Sequence, residues 1–310
     1  MHIGPDRSAA PFVPAVVRGA PALAAVVLVA AAVSGCSSGS GGGSATEKAL
    51  RHLPKSAASQ QVTYVDQERV RKLSASDKKR YSSVAVSPSA LLNSYAGPPW
   101  GDTLKPEQIA NEIDTGESGV WQGDFDQAAV VAKLKAAGWT VAKKDGTDVL
   151  TSKGDKGGGL TILVTKDEVR YSTSAAGFTA ADPGKGDSLA GSEQYGRAAD
   201  CLGDVYRADF NALGAKEDVQ LTVLGQADDG GKNTEVMCVV TKDEDTADAV
   251  AGRLKAAAAK KPEVYGGGKV TVDKGDHPYV RITVPDTGEE YPGRLFRSNL
   301  DLWYAVSKDD

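Results

Sequence analysis

Residues 128–139 read AAVVAKLKAAGW, and residues 248–259 read DAVAGRLKAAAA. The pair Ala-Val and the run Lys/Arg-Leu-Lys-Ala-Ala recur in both stretches at one constant offset. Alanine, leucine and lysine favour helices, so each stretch predicts a helix. Each helix lies between a predicted strand and a predicted pair of strands, which indicates a strand–helix–strand–strand unit used twice. Ala-rich helices also resemble one another by chance, and only the matching order of the flanking elements favours duplication.

The chain around these helices divides into short elements. Strands are predicted where apolar and polar residues alternate, as in Val280-Arg281-Ile282-Thr283-Val284. The predicted strands are residues 61–65, 120–122, 139–143, 147–152, 160–165, 169–173, 205–210, 218–224, 235–241, 269–273 and 279–284. The predicted helical segments are residues 46–53, 66–73, 76–82, 88–95, 105–113, 126–137, 188–202 and 246–260. The pattern at residues 295–306 does not distinguish a helix from a strand.

These elements predict an α+β fold. Consecutive strands joined by short Gly/Asp turns are typical of antiparallel sheets, and the interspersed amphipathic helices are expected to cover one face. The Pro183-Gly184-Lys185-Gly186 turn is the best internal boundary. It predicts an N-terminal α+β half at residues 61–185 and a C-terminal α+β half at residues 186–310.

The N-terminal region carries a targeting pattern. Val33-Ser34-Gly35-Cys36 follows an apolar run at residues 20–33 and precedes the Ser/Gly run at 37–44. The run suits a secretory signal of about 7–15 apolar residues and is short for a membrane-spanning helix of about 20. The tetrapeptide resembles the lipobox of bacterial lipoproteins. An ordinary secretory signal that ends beside a cysteine is the alternative.

The lipobox resemblance implies a processed and anchored protein. Residues 1–35 would be removed as a signal peptide, and Cys36 would become the lipidated first residue, bearing palmitate or a similar acyl chain. Residues 36–60 are then expected to form the lipidated cysteine and a flexible tether. The expected location is the extracytoplasmic face of the cell membrane, with the lipid as the contact to the bilayer.

The charge of the chain excludes some partners. The net charge is −5, and removal of residues 1–35 deletes two basic residues and one acidic residue, which makes it −6. Nucleic-acid binding needs clustered Lys and Arg to release counterions, so we expect no nucleic-acid partner. The same balance disfavours a polybasic patch for anionic lipid.

Two cysteines remain after lipidation of the first. Cys201 and Cys238 are an even number in an exported chain, where disulfides form and persist, so a Cys201–Cys238 disulfide is expected. Two separate buried thiols are the alternative. No cysteine lies near the two remaining histidines, His52 and His277, so zinc spacing is absent from the sequence and neither a metal nor a cofactor is expected.

One pattern suggests catalysis. Ser76-Asp77-Lys78-Lys79 matches the Ser-x-x-Lys pattern of serine acyltransferases, in which the serine starts a helix and the lysine one turn later helps to activate it. The pattern is short, and the Ser-Asp-Asn and Lys-Thr-Gly sequences that accompany it in those enzymes do not occur downstream. A solvated basic helix face explains the segment equally simply. A serine hydrolase or acyltransferase using Ser76 and Lys79 is therefore the alternative function.

Two further features have structural explanations beside functional ones. Asp243, Glu244, Asp245 and Asp248 suggest a calcium site, but acidic residues at a helix N-terminus are expected from capping and the helix dipole. Trp100 lies in a Pro/Gly loop and is expected at the surface, where it would suit a ligand groove.

Several short phrases indicate a broader resemblance. Cys201-Leu202-Gly203-Asp204-Val205, Gly123-Asp124-Phe125-Asp126 and Lys135-Ala136-Ala137-Gly138-Trp139 resemble uncharacterised exported lipoproteins of high-GC actinobacteria. The resemblance covers short parts of residues 118–260 and implies location rather than activity. The sequence thus predicts a non-enzymatic binding or interaction module of the cell envelope. Its partner is expected to be an envelope protein or a small apolar or glycan molecule held between helices and sheet.

Overall fold

The strands of this chain join into one sheet. The computed structural model describes residues 43–307 except 60, 94–97, 145, 154–158, 174–182, 185, 213–217, 231, 287 and 289–290. Within these residues the strands are β1 (Val62–Asp66), β2 (Ile109–Asp114), β3 (Ser118–Gly123), β4 (Thr140–Lys144), β5 (Thr147–Thr151), β6 (Thr161–Val164), β7 (Glu168–Ser172), β8 (Arg207–Ala212), β9 (Val219–Asp229), β10 (Lys232–Thr241), β11 (Lys269–Asp273) and β12 (Tyr279–Pro285). Cys36 and the rest of residues 1–42 lie outside the described residues.

The helices fall between these strands and at both ends of the described chain. They are α1 (Ala45–Leu50), α2 (Gln67–Ser76), α3 (Lys78–Tyr81), α4 (Ala90–Asn93), α5 (Gln127–Ala136), α6 (Glu193–Leu202), α7 (Glu244–Lys260), α8 (Pro262–Tyr265), α9 (Arg294–Ser298) and α10 (Asp301–Ser307). The fold is therefore α+β, as the sequence predicts. Among the described residues, no helix combines the length and the apolar character needed to cross a bilayer.

The strand order shows how the two halves are joined. Twelve strands form one sheet in the order β11-β12-β10-β9-β8-β1-β2-β3-β7-β6-β5-β4, and the neighbouring strands pair antiparallel. Val62–Val65 of β1 pair with Phe210–Arg207 of β8 at the centre. This pairing is the seam between the two halves.

The two halves share one order of strands, although α2, α3 and α4 lie between β1 and β2 of the first half. In each half, three strands follow one another across the sheet, a helix then leads to the sheet edge, and later strands return towards the third strand. The helices are α5 and α7, and the edge strands are β4 and β11. The first half returns through β5, β6 and β7, whereas the second returns through β12 alone. The repeated order agrees with the duplication expected from the sequence.

The same kind of cap begins both repeat helices. The Asp126 carboxylate accepts the Ala129 N–H at 3.0 Å, and the Asp243 carboxylate accepts the Thr246 N–H at 2.8 Å. Each bond satisfies a backbone donor that has no partner within the helix. Gly138, with a φ of 84°, follows the end of α5. Its left-handed backbone suits glycine and turns the chain into β4.

The prediction that helices cover one face of the sheet is wrong. Helix α6 packs with Val236, Cys238 and Val240 of β10, whereas α7 packs with Met237 and Val239 on the opposite face. All five side chains are buried. The run Val236–Val240 has no polar residue to face water, so both faces of this strand need an apolar cover.

The predicted helix at residues 105–113 is also wrong. A 3-10 turn at Pro106–Gln108 is followed by β2, whose Ile113 pairs with Tyr64 of β1 and with Val120 of β3. Pro106 and the four-residue spacing of Ile109 and Ile113 favoured a helix. Pairing with two neighbouring strands overrides that local preference, because each strand supplies partners for the backbone of β2.

The expected tether ends earlier than residue 60. Leu50 and Leu53 are fully buried in the cluster that contains α6, and the Leu189 N–H donates to the Leu53 carbonyl at 2.9 Å. The three-residue spacing of the two leucines places them on one side of a helical turn. Residues 45–59 are therefore part of the folded domain rather than a free linker.

A cysteine pair links helix and sheet in that cluster. The sulfurs of Cys201 in α6 and Cys238 in β10 lie at disulfide-bonding distance, and their Cα atoms are 6.1 Å apart. Both residues are buried. The arrangement is compatible with the disulfide expected from the sequence, and it would fix α6 onto the central part of the sheet.

Removal of this bond should destabilise the domain. The two cysteines are 37 residues apart in the sequence, and a loop of this size contributes about 3–4 kcal/mol in the chain-entropy model. We expect Cys201→Ala/Cys238→Ala to lose about that much unfolding free energy in urea. Reduction of the wild-type protein should produce a similar loss, since it opens the same loop. An unchanged urea midpoint after reduction would show that the bond is not formed.

Candidate functional site

Polar residues lie side by side across the centre of the sheet. The register places Thr63 of β1 between Asp114 of β2 and Asp209 of β8, and Asp209 pairs in turn with Leu224 of β9. Directly paired residues share a face, so these four side chains form a row across four strands. Arg207 and Asn211 flank Asp209 at two-residue spacing and lie on the same face.

A cleft of about 530 Å³ lies over this row. The floor is formed by the strand residues just named, and Arg297 of α9 and Trp303 of α10 contribute a wall. The cleft therefore spans the seam between the two halves and extends to the C-terminal helices. Pockets of this size are typical of ligand sites.

The opposite face of the same strands is apolar. Tyr64 of β1 and Ala208 and Phe210 of β8 are buried together with α6. The alternation along β8, Arg-Ala-Asp-Phe-Asn at residues 207–211, thus separates a core face from a cleft face. This alternation is a local sequence signal that one face of the strand is polar.

Asp209 holds the two arginines of the cleft. Its Oδ2 accepts Arg207 Nε at 3.1 Å and Arg297 Nη2 at 2.6 Å, and its Oδ1 accepts Arg207 Nη2 at 3.1 Å and Thr63 Oγ1 at 3.0 Å. Burial alone would raise the pKa of Asp209, but the charge and hydrogen bonds of Arg207, together with Arg297, outweigh burial and lower it. Asp209 is therefore ionised and saturated with hydrogen bonds.

Asp114, unlike Asp209, has only one of its carboxyl oxygens in hydrogen bonds to the described residues. Its Oδ1 accepts the Tyr171 hydroxyl at 2.5 Å and Trp121 Nε1 at 3.3 Å, while Oδ2 has no hydrogen-bond partner among the described residues. The residue is only 2% exposed. Burial, followed by the nearby carboxyl of Glu112, raises the pKa of Asp114 well above its ordinary value. Burial therefore disfavours the charged form of Asp114, and Oδ2 is the oxygen that has no hydrogen bond to the described residues.

Glu112 lies two residues away on the same strand face. Its Oε1 accepts Gln67 Nε2 at 2.5 Å, and its Oε2 accepts Ser87 Oγ at 2.6 Å. Burial raises the pKa of Glu112, although these two hydrogen bonds and Arg207 oppose the rise. Both oxygens are occupied, so Glu112 supports the floor of the cleft and Asp114 is the acid that presents an unused oxygen.

Glu235 fixes the wall of the cleft. This buried residue of β10 accepts the backbone N–H groups of Leu295 and Phe296, each at 3.1 Å, in α9. Helix α9 also carries Arg297, so these two hydrogen bonds to Glu235 determine where that guanidinium reaches into the cleft. Burial raises the pKa of Glu235 to about 7, with a smaller contribution from Asp286.

The residues of the Ser-x-x-Lys pattern lie apart from the cleft floor. Ser76 is the last residue of α2, and its hydroxyl donates to the Leu73 carbonyl at 2.6 Å. Lys79 is exposed in α3, a separate short helix. The enzymatic pattern needs a serine at the start of a helix, one turn before its lysine, and this segment does not provide that arrangement.

The other candidate residues have structural partners. Asp243 caps α7, and Lys274 lies 2.9 Å from Asp248 and 3.7 Å from Glu244. The described residues contain no group of three or more His, Cys, Asp or Glu side chains arranged to hold a metal. The expected exposure of Trp100 is wrong, because the residue is fully buried in a core cluster with α5. The Gly101–Thr103 turn, which follows Trp100, packs against that helix.

Comparison with known proteins identifies no family. No family model matches this sequence, and no curated protein matches it. Two solved structures, crystal forms IV and I of TP0453, match with TM-scores of 0.34 and 0.33 at 9% and 7% identity. The matches cover 78% and 80% of this chain and 94% and 95% of those chains. Likeness at this level carries no argument about ligand or activity.

The burial of Glu235 predicts a specific pH dependence of stability. The folded-state pKa of about 7 exceeds the ordinary value of 4.5, so the folded protein holds this proton more tightly than the unfolded chain. The contribution of the protonated Glu235 to the unfolding free energy is complete below pH of about 4.5 and is lost as the pH rises through about 7. Between pH 5 and pH 8, we expect the unfolding free energy of the wild type, measured in urea, to fall by about 2–3 kcal/mol through this carboxyl group. Glu235→Gln has no titrating group at this position and should not show that fall.

Glu263→Gln is the matched control, since Glu263 is exposed on α8. This variant should keep the wild-type pH dependence. A Glu235→Gln protein whose stability falls with pH as steeply as the wild type would contradict the role of Glu235.

Proposed function

We propose that this protein is a lipid-anchored binding protein of the extracytoplasmic membrane face, which holds a small polar ligand in the central cleft. The anchor is supported by the lipobox pattern that ends at Cys36. The ligand site is supported by the geometry over the β1–β8 seam. The two parts of the proposal are independent and have separate tests.

The observation that carries the ligand site is the unused oxygen of Asp114. A buried polar atom without a partner costs about 1–3 kcal/mol, and Oδ2 of Asp114 is one of the buried side-chain atoms that lack a partner among the described residues. Here the atom belongs to a residue that lines a cleft large enough for a small molecule. Oδ2 is itself buried, and a ligand group that reached it from the cleft would recover that cost.

The lining favours a polar ligand over an apolar one. Arg207, Arg297, Asp209, Asn211 and Gln61 present charges and amide groups to the cleft. An apolar molecule would strip water from these groups without replacing their hydrogen bonds. A glycan-like molecule supplies many hydroxyl groups, and Trp303 offers one aromatic surface for its ring. Of the two small-molecule classes considered from the sequence, the glycan class is therefore preferred.

The same lining favours binding over catalysis. Asp114 and Asp209 have pKa values shifted in opposite directions, an arrangement that glycoside hydrolases use for acid and base. However, Asp209 already accepts four hydrogen bonds from Arg207, Arg297 and Thr63. A carboxylate saturated in this way is a poor base or nucleophile, since its lone pairs are occupied.

The ligand site is tested by native mass spectrometry of the exported protein, produced in an actinobacterial host and never denatured. We expect the wild-type spectrum to contain a bound mass that dissociates on activation. Asn211→Trp should lose this mass because the larger side chain fills the cleft. Ala142→Trp should keep it, because Ala142 is exposed on the edge strand β4. A wild-type protein without bound mass would count against the small-molecule ligand and favour a protein partner.

The lipid anchor is tested by metabolic labelling with a palmitate analogue. We expect the wild-type protein to incorporate the label and to fractionate with membranes. Cys36→Ser should lose both properties, because the thiol is the acceptor of the lipid. Cys201→Ser/Cys238→Ser is the control for labelling at other cysteines and should remain labelled. Label retained by Cys36→Ser would contradict the anchor without affecting the cleft.

A further inference from the structure

We infer that the ligand of the central cleft carries an anionic oxygen group, a carboxylate or a phosphate, which binds between Arg207 and Arg297. The inference rests on the proposed function, and it specifies the ligand class of the same cleft. Three observations carry it: the charges that line the cleft, the unused donors of the two arginines, and the polar groups around them.

The charges of the described lining residues do not cancel. Arg207 and Arg297 contribute two positive charges, and Asp209 contributes one negative charge that interacts with both of them. Asp114 is the other acidic residue of the lining, and its burial beside Glu112 favours the uncharged form. With Asp114 uncharged, the described lining residues carry one excess positive charge, although the chain as a whole is acidic. A single anionic group would neutralise it.

Both guanidinium groups have N–H donors that are not bonded to any of the described residues. A guanidinium has five N–H bonds, and Asp209 takes Nε and Nη2 of Arg207 and Nη2 of Arg297. The Arg297 side chain is 54% exposed, so its remaining donors are accessible from the cleft mouth. Paired planar donors of this kind match the oxygens of carboxylates and phosphates. Asp209 holds both groups side by side before any ligand arrives.

The surrounding groups suit an anion on a polar body. Asp114 in its uncharged form would not repel an anion, and Thr63, Asn211 and Gln61 lie along the same floor. Trp303 bounds the other side of the cleft. An acidic sugar and a sugar phosphate share this chemistry, and both fit a cleft of about 530 Å³.

Four probes with the same ring separate charge from shape. Glucuronate carries a carboxylate, glucose 6-phosphate carries a phosphate, glucose is neutral, and glucosamine is cationic. Isothermal titration of the full mature protein at low salt is the measurement. We expect at least one of the two anions to bind tenfold or more tightly than glucose, with glucosamine the weakest. The better of the two anions identifies the carboxylate or the phosphate as the preferred group.

Variants of α9 assign the anion to its arginine. Arg297→Gln should weaken binding of the preferred anion tenfold or more, and should weaken binding of glucose by a smaller factor. Arg297→Lys keeps the charge and should retain part of the affinity. Arg294→Gln is the matched control on the same helix, since Arg294 is exposed and does not line the cleft. Circular dichroism and thermal melting check that each variant is folded.

The outcomes separate this inference from the proposed function. Glucose or glucosamine binding as tightly as the anions would overturn the anionic ligand and leave the cleft as a binding site. Failure of both anions to bind would overturn it as well. The native mass spectra then decide independently whether the cleft holds any small molecule. An equal loss of anion affinity in Arg294→Gln and Arg297→Gln would also contradict the assignment to Arg297.

Discussion

The antiparallel pairing of β1 with β8 is the contact on which the rest of the structure depends. It joins two halves that share one order of strands, and it makes a single sheet of twelve strands from them. Because side chains alternate along a strand, successive residues of these two strands build two different surfaces. Tyr64, Ala208 and Phe210 complete the core under α6, whereas Thr63 and Asp209 form the floor of the cleft. The core and the candidate site are opposite faces of one seam.

The buried acidic residues of the cleft and its wall differ in how their carboxyl groups are hydrogen-bonded. Asp209 is ionised because two arginines and a threonine hydroxyl satisfy it. Asp114 has one oxygen satisfied and one unused, and burial favours its neutral form. The carboxyl group of Glu235 accepts two backbone N–H groups of α9 and thereby holds the wall that carries Arg297. A site organised in this way is set before a ligand arrives, which reduces the ordering that binding requires.

Local patterns predicted many of the elements. The strand at residues 269–273 has the predicted bounds, and α7 begins two residues before the predicted start. Capping aspartates and alternating apolar residues are local signals, so they survive in the tertiary structure. The strand β2 was missed, because Pro106 and the spacing of Ile109 and Ile113 imitate a helix. Glu112 and Asp114 lie on β2, and they gain their surroundings from strands far away in sequence, which no local pattern shows.

The sequence by itself determined the α+β class, the repeated order of elements and the two cysteines available for a disulfide. It also supplied the lipobox resemblance. Each of these depends on composition, periodicity or spacing within a short window. The tertiary structure alone decided that helices cover both faces, that residues 45–59 join the core, and that Asp114, Asp209 and Arg297 share one cleft. Asp209 and Arg297 are 88 residues apart in the chain. Their contact follows from strand register and from the placement of α9, which no local pattern specifies.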